Sequence, residues 1–246
     1  MYHFFVNQEQ IGPEEIFIEG SDVNHIRNVL RMVPGEKITV SSRDDTTEYE
    51  CEIAGLAETC VTAKILSSHE AATELPNRIY LFQGLPKSDK MELIIQKAVE
   101  LGAYAVVPVA TKRAVVKLDK KKEESKLKRW NAISESAAKQ SKRTIVPEVL
   151  PVMTFAEAVK MAASFEQKFI PFEHAEGIDA ARRMFAQIKP GEQVAVFIGP
   201  EGGFEDAEIA LAQENGIMPI SLGRRILRTE TAGMTVLSVL MFQLEK

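Results

Sequence analysis

The chain has 246 residues, 45% hydrophobic and 26% charged, with a formal net charge of −5 at pH 7. That is enough for one large domain or two unequal ones around a real core, and it excludes a disordered or low-complexity chain. No run of about eighteen apolar residues suggests a membrane span. The opening Met1-Tyr2-His3-Phe4-Phe5-Val6 lacks the basic and apolar regions of a signal peptide, so a cytoplasmic location is expected.

Residues 1–70 read as short strands between turn clusters: 37–40 after Pro34-Gly35, then 49–53, then 61–66, with one helix near 23–30. This spacing predicts a small β-barrel. Residues 71–77, with Pro76, read as a linker. From residue 78 the pattern alternates. Strands are predicted at 78–85, 104–109, 168–171, 194–198 and 218–222. Helices are predicted at 91–101, 125–141, 205–215 and 231–244, the first with Asp89 and Glu92 as a capping pair and Gly102 as its stop. Strands alternating with helices predict an α/β domain over 78–246, its mostly parallel sheet covered on both faces.

Cys51 and Cys60 stand in no metal or redox spacing and read as core residues of a reduced protein. His3, His25, His69 and His174 are scattered, and no metal site is expected. The charge is uneven. Residues 1–110 carry 9 basic and 17 acidic side chains, residues 111–143 carry 12 and 4, and residues 144–246 carry 9 and 14. A local excess of +8 on an acidic chain suits a selective polyanion binder, because a phosphate feels near charge more than distant charge. A solvated helix face has the same composition.

Two loops stand out. Gly199-Pro200-Glu201-Gly202-Gly203-Phe204 follows an apolar strand and precedes a helix, where glycines let a ligand approach the backbone, and Glu201 among them reads as buried. It is neither a P-loop nor a dinucleotide fingerprint. The second is Leu222-Gly223-Arg224-Arg225-Ile226-Leu227-Arg228-Thr229-Glu230-Thr231-Ala232, again after a strand, with Thr229 or Thr231 as a helix cap. Its arginines suit bidentate contact with phosphate or carboxylate. The chain has no G-x-S-x-G and no H-E-x-x-H, so hydrolase chemistry is disfavoured.

These loops resemble the motifs of the ribosomal RNA small subunit methyltransferase E family. So do Gln96-Lys97-Ala98 with Glu100-Leu101-Gly102, Arg129-Trp130, Gln140-Ser141 with Arg143 and Pro147, and His25 with Val29-Leu30-Arg31 and Gly35. The resemblance spans nearly the whole chain. It implies a SPOUT-type methyltransferase domain with a trefoil knot, which ordinary topology rules would never propose. It implies a PUA-like RNA-binding barrel over 1–70 and a homodimer. The implied activity is S-adenosylmethionine-dependent methylation of uridine N3 in 16S ribosomal RNA, at the site conventionally numbered 1498.

On this reading Gly199, Pro200, Gly202, Gly203, Leu222, Gly223, Ile226, Leu227, Thr231 and Ala232 hold the cofactor, with Pro171 and Phe172 as a third wall. Gly199→Val is expected to block the cofactor and leave the fold mostly intact. Uridine N3 must lose a proton, so a base or an anion stabiliser is required. Glu201, Glu230 and Arg228 are the candidates, unranked. RNA contacts are expected from Arg31, Lys87 and Lys90, from Lys112, Arg113, Lys120, Lys121 and Lys122, and from Arg129, Lys142, Arg143 and Arg225. The apolar helix 231–244, with Met234, Val239 and Phe242, needs burial on all sides, by the core or by a second subunit. Two alternatives stay open: a related SPOUT enzyme acting on a ribose hydroxyl or another base, and a non-enzymatic RNA-binding protein.

Overall fold

The computed structural model describes residues 1–42, 46–173, 175 and 177–245. They form two compact units, Met1–Glu74 with 138–146, and Leu75–Ala137 with 147–246.

The first unit is a five-stranded sheet of β1 (Tyr2–Val6), β2 (Glu15–Glu19), β3 (Lys37–Ser42), β4 (Thr47–Leu56) and β5 (Cys60–Glu70), in the order β1-β3-β4-β5-β2. β1 runs parallel to β3, the other pairs are antiparallel, and the two end strands come into contact. In β2 the alternation is regular: Ile16 and Ile18 are buried while Glu15, Phe17 and Glu19 face out. A short helix, α1 (Ser21–Asn24), runs into a π-helical turn over His25–Val29. Residues 138–146 are held to this unit by charge. Lys139 Nζ lies 2.9 Å from Asp22, and Arg143 lies against Glu74, which also accepts from the Thr144 amide. Cys51 lies in this core, and burial pushes its thiol up to about 12.

The second unit alternates strands and helices as predicted. Its elements are β6 (Arg78–Gly84), α2 (Lys90–Glu100), β7 (Ala105–Ala110), α3 (Lys120–Ser141), β8 (Glu148–Val149), β9 (Met153–Thr154), α4 (Phe155–Ala162), β10 (Gln167–Pro171), α5 (Ile178–Phe185), β11 (Gln193–Ile198), α6 (Asp206–Glu214), β12 (Met218–Ile220) and α7 (Thr229–Leu244). The sheet order is β12-β10-β11-β6-β7-β8, every pair is parallel, and β9 adds to β7. Successive residues of β6 face opposite sides, so the sheet carries two cores. Ile79 and Leu81 pack with Ile94, Ile95, Val236 and Leu240 on the side of α2 and α7. Phe82 stacks on Phe197 at 4.3 Å on the side of α4 and α6. The chain leaves β12 at one edge and returns through 221–228 to lay α7 on α2 and β11.

Three local expectations need correction. α3 begins at Lys120, five residues before the predicted start, because Asp119 accepts the Lys122 amide at 2.9 Å and supplies the start signal. Asp89 stands at the N-cap of α2 but makes no side-chain cap bond; its carboxylate faces Lys126 at 3.8 Å instead. Neither Thr229 nor Thr231 caps α7, whose N-cap is Arg228. Gly102 does stop α2, at φ +85°, and a Cβ there would meet Leu75 at 2.6 Å.

Candidate functional site

The parallel strands β10, β11 and β12 place the loops that follow them at one end of the sheet, where ligands of open α/β sheets bind. There the loop 199–204 and the segment 221–229 line a cavity of about 600 Å³. That is within the range of a small-molecule site. Pro171 and Phe172, at the end of β10, form its third wall. The glycines shape it. Gly203 (φ +68°) and Gly223 (φ +112°) have no atom within 4 Å of where a Cβ would project, so open space lies over bare backbone. That cradle fits a cofactor held by main-chain groups.

Gly199 differs. A Cβ there would lie 3.1 Å from Gly203 Cα and 3.3 Å from Phe204, so the expected clean effect of Gly199→Val does not hold: the side chain would first push the loop off itself. At the end of β6, a Cβ on Gly84 would come within 2.6 Å of Pro200, so this glycine lets the loop sit directly on the strand. Thr229 Oγ1 donates to the Gly199 carbonyl at 2.6 Å and accepts from Gln83 Nε2 at 2.8 Å.

Beside the glycine loop lies a charged cluster. Lys90 Nζ is 2.9 Å from Glu201 Oε1 and 3.4 Å from Glu230 Oε2. Glu201 also accepts from the Lys87 amide at 3.2 Å. Ser88, between the two lysines, takes a left-handed φ of +58°, a strained turn that brings both donors to one carboxylate. Glu201 is partly exposed, its side chain 28% accessible, which corrects the expectation of a buried carboxylate. What burial it has raises its pKa, but the bonds from Lys90 and the backbone outweigh that and hold it below the usual glutamate value. Lys90 is raised correspondingly, chiefly by the hydrogen bond to Glu201. Glu230 is different: Lys90 is 3.4 Å from its buried Oε2, farther than from Glu201, and it is not among the residues that line the cavity.

Of the residues expected to hold cofactor, all but Thr231 line the cavity; Thr231 is exposed on α7, its carbonyl accepting from Thr235. Glu201 and Arg228 line it too, as do Lys90, Arg113 and Arg225. Arg113 Nη1 donates to the Gly202 carbonyl at 3.1 Å, tying residues 111–119 to the glycine loop. Lys87, Lys112, Lys120, Lys121 and Lys122 are exposed, and Arg129 is exposed with its guanidinium 2.7 Å from Glu92. In the first unit Arg31 and Lys142 are exposed with left-handed φ of 54° and 59°. Arg143 departs from its expected role: its side chain is 5% accessible and engaged with Glu74, so it braces the first unit rather than presenting a cation to solvent. Sequence reading missed Gln83, Gly84 and the hydroxyl of Thr229. Gln83 lies in an apolar strand, where a single polar residue carries no motif; its one signal is that a fully buried amide must find partners. Among the described residues no cluster of His, Cys, Asp and Glu could hold a metal, and His174 lies outside them.

Comparison with known proteins adds a second line of evidence. An RNA methyltransferase domain family matches residues 73–241, and an RNA methyltransferase PUA domain family matches residues 18–66. A protein of Bacillus subtilis named ribosomal RNA small subunit methyltransferase E is 37% identical over 99% of this chain and 96% of its own length. The protein of that name from Mesomycoplasma hyopneumoniae is 32% identical over 97% and 98%. The crystal structure of the Neisseria gonorrhoeae protein of that name, bound to S-adenosyl methionine, superposes with a TM-score of 0.86 at 31% identity, covering 98% of this chain and 97% of that one.

Proposed function

The chain belongs to the ribosomal RNA small subunit methyltransferase E family, and from that premise we propose that it methylates N3 of the uridine conventionally numbered 1498 in 16S ribosomal RNA. Its fold is a SPOUT-type parallel sheet preceded by a PUA-like sheet. It is an RNA methyltransferase that uses S-adenosylmethionine. The observation that carries the reading is the cavity where both motif loops meet, with Lys90, Glu201 and Glu230 clustered at that end of the sheet.

S-adenosylmethionine supplies an electrophilic methyl group on a sulfonium. The backbone around Gly199, Gly202, Gly203, Leu222, Gly223 and Leu227, with Phe172, would hold it, and holding both reactants in line supplies much of the rate. The N3 proton of uridine must be removed. Glu201 is a poor acceptor, because Lys90 and the Lys87 amide hold its charged form. Glu230 is held less tightly, with Lys90 Nζ 3.4 Å away against 2.9 Å for Glu201, and on this reading it takes that proton. Lys90, held protonated, and Arg228 stabilise negative charge on the base carbonyl oxygens. N3 lies on the Watson–Crick edge, so the uridine is unpaired or flipped out when it reacts.

RNA backbone contacts fall to the exposed cations of 112–129, with Lys87, Arg225, Arg31 and Lys142. The enzyme acts as a homodimer: on α7, Phe242 is 86% and Val239 44% exposed within one chain, as is 43% of Leu93 on α2, and a second copy covers them. No helix of the described residues is long and apolar enough to cross a membrane. A ribosomal RNA substrate supports a cytoplasmic location. Incubation of purified protein with labelled S-adenosylmethionine and either 16S RNA or assembled small subunits tests the reading. Label in N3-methyluridine supports it; label in a ribose methyl or another base replaces it with a different SPOUT activity.

A further inference from the structure

We propose that Gln83 and Thr229 form a buried relay that sets the cofactor loop and the reacting side chains as one piece, which makes both of them positioning residues. This rests on the methyltransferase reading above. Gln83 is fully buried at the end of β6. Its amide orientation is settled by chemistry: Nε2 lies 3.0 Å from the Gly84 carbonyl, which can only accept, so the nitrogen faces that side. The same nitrogen lies 2.8 Å from Thr229 Oγ1. Thr229 therefore accepts from Gln83, and its own proton is committed to the Gly199 carbonyl at 2.6 Å. The relay has one direction, and each member has one role.

The relay crosses the fold at an informative place. Gly199 opens the glycine loop, and Thr229 stands between Arg228 and Glu230 at the start of α7. These segments are 30 residues apart in the chain and meet through the Thr229 hydroxyl. No side-chain cap fixes the first turn of α7, so this hydroxyl does the locating that a cap would otherwise do. A shift of Thr229 moves the cofactor loop through Gly199 and moves Arg228 and Glu230 through the main chain. One displacement therefore alters cofactor affinity and the chemical step together, while the exposed lysines at the start of α3 lie outside the relay.

The test uses the full chain with Thr229→Val, Thr229→Ser, Gln83→Met and the double variant Thr229→Val/Gln83→Met. S-adenosylmethionine affinity is read by calorimetry and turnover on 16S RNA by steady-state kinetics. Thr229→Val is expected to raise the cofactor Kd about tenfold and lower kcat about tenfold or more, since it strands a buried donor and a carbonyl, with KM for RNA unchanged. Thr229→Ser keeps the hydroxyl and stays within about twofold of wild type on both. Gln83→Met shifts Kd and kcat in the same direction, and the double variant is no worse than Thr229→Val, because members of one relay do not add. Equal impairment by Ser and Val, or multiplying losses in the double variant, overturns the relay. If Thr229→Val does not fold, Thr229→Ser and Gln83→Met still decide: wild-type kinetics for Gln83→Met overturns it. Wild-type protein that binds no S-adenosylmethionine would instead refute the methyltransferase reading itself.

Discussion

Replacing Lys120, Lys121 and Lys122 with alanine should weaken RNA binding without weakening the fold. All three are exposed in the first turn of α3, where the amides already present positive charge. Cations there oppose the helix dipole, by roughly 0.3–1 kcal/mol each at low salt. Asp119 offsets part of this. It accepts the Lys122 amide at 2.9 Å and pairs with Lys122 Nζ at 3.3 Å, and the first of these bonds is the main reason its pKa is lowered. Both side chains of that pair are more than half exposed, so it contributes little. The triple variant should thus unfold at the same or slightly higher denaturant concentration, since alanine is also the better helix former. The net charge of residues 111–143 falls from +8 to +5. If each lysine meets a phosphate, the slope of log K against log salt falls by roughly 0.7–0.9 per residue, so by about 2 to 3 in all. Anisotropy of a labelled ribosomal RNA fragment between about 50 and 200 mM salt reads this directly. An unchanged slope in a variant of undiminished stability would make the lysines a solvated surface.

Glu230→Gln should lower kcat by roughly a hundredfold or more with cofactor affinity preserved, as expected for loss of a general base. Glu201→Gln should act more weakly and on KM as much as kcat, by freeing Lys90 and the Lys87 amide; the reverse ranking in single-turnover assays would exchange their roles. Burial first, and Lys139 second, lower the pKa of His3 to about 4, against the opposing pull of Glu48 at 3.4 Å. The unfolded chain takes up a proton near pH 6.5 that the folded one refuses until about pH 4. Stability is therefore full above 6.5 and declines toward 4 by up to about 3 kcal/mol, and His3→Leu should flatten that profile in urea titrations. Phe242→Glu should convert the proposed dimer to monomer in light scattering while leaving monomer stability nearly unchanged, because Phe242 is solvent-facing within one chain.

The α/β pattern was legible because β6, β7 and β11 are apolar runs bounded by turn residues and the helices between them keep one apolar stripe. β1 and β2 were not. Phe4-Phe5-Val6 has no alternation to read, and β2 is a five-residue strand between glutamates whose role depends on pairing with β5. Helices α4 and α5, eight residues each, are too short for periodicity to stand out. At the site, the glycine loop and 222–228 stood out by their composition and by their resemblance to family motifs, and the structure brings both to one cavity. What was hidden is what holds them: Gly84 under Pro200, Thr229 on Gly199, and Lys90 between two carboxylates are contacts 30 to 140 residues apart that no local pattern encodes. Arg143 shows the opposite failure, since its position in a basic run suggested RNA and only its burial against Glu74 assigns it to the fold.

The most direct test of the central claim is nucleoside mass spectrometry of 16S RNA and of small subunits after incubation with purified protein and S-adenosylmethionine. N3-methyluridine at one position, formed by wild type and lost in Glu230→Gln, is the predicted result. A methylated ribose, a different methylated base, or no methylation of either substrate would contradict it.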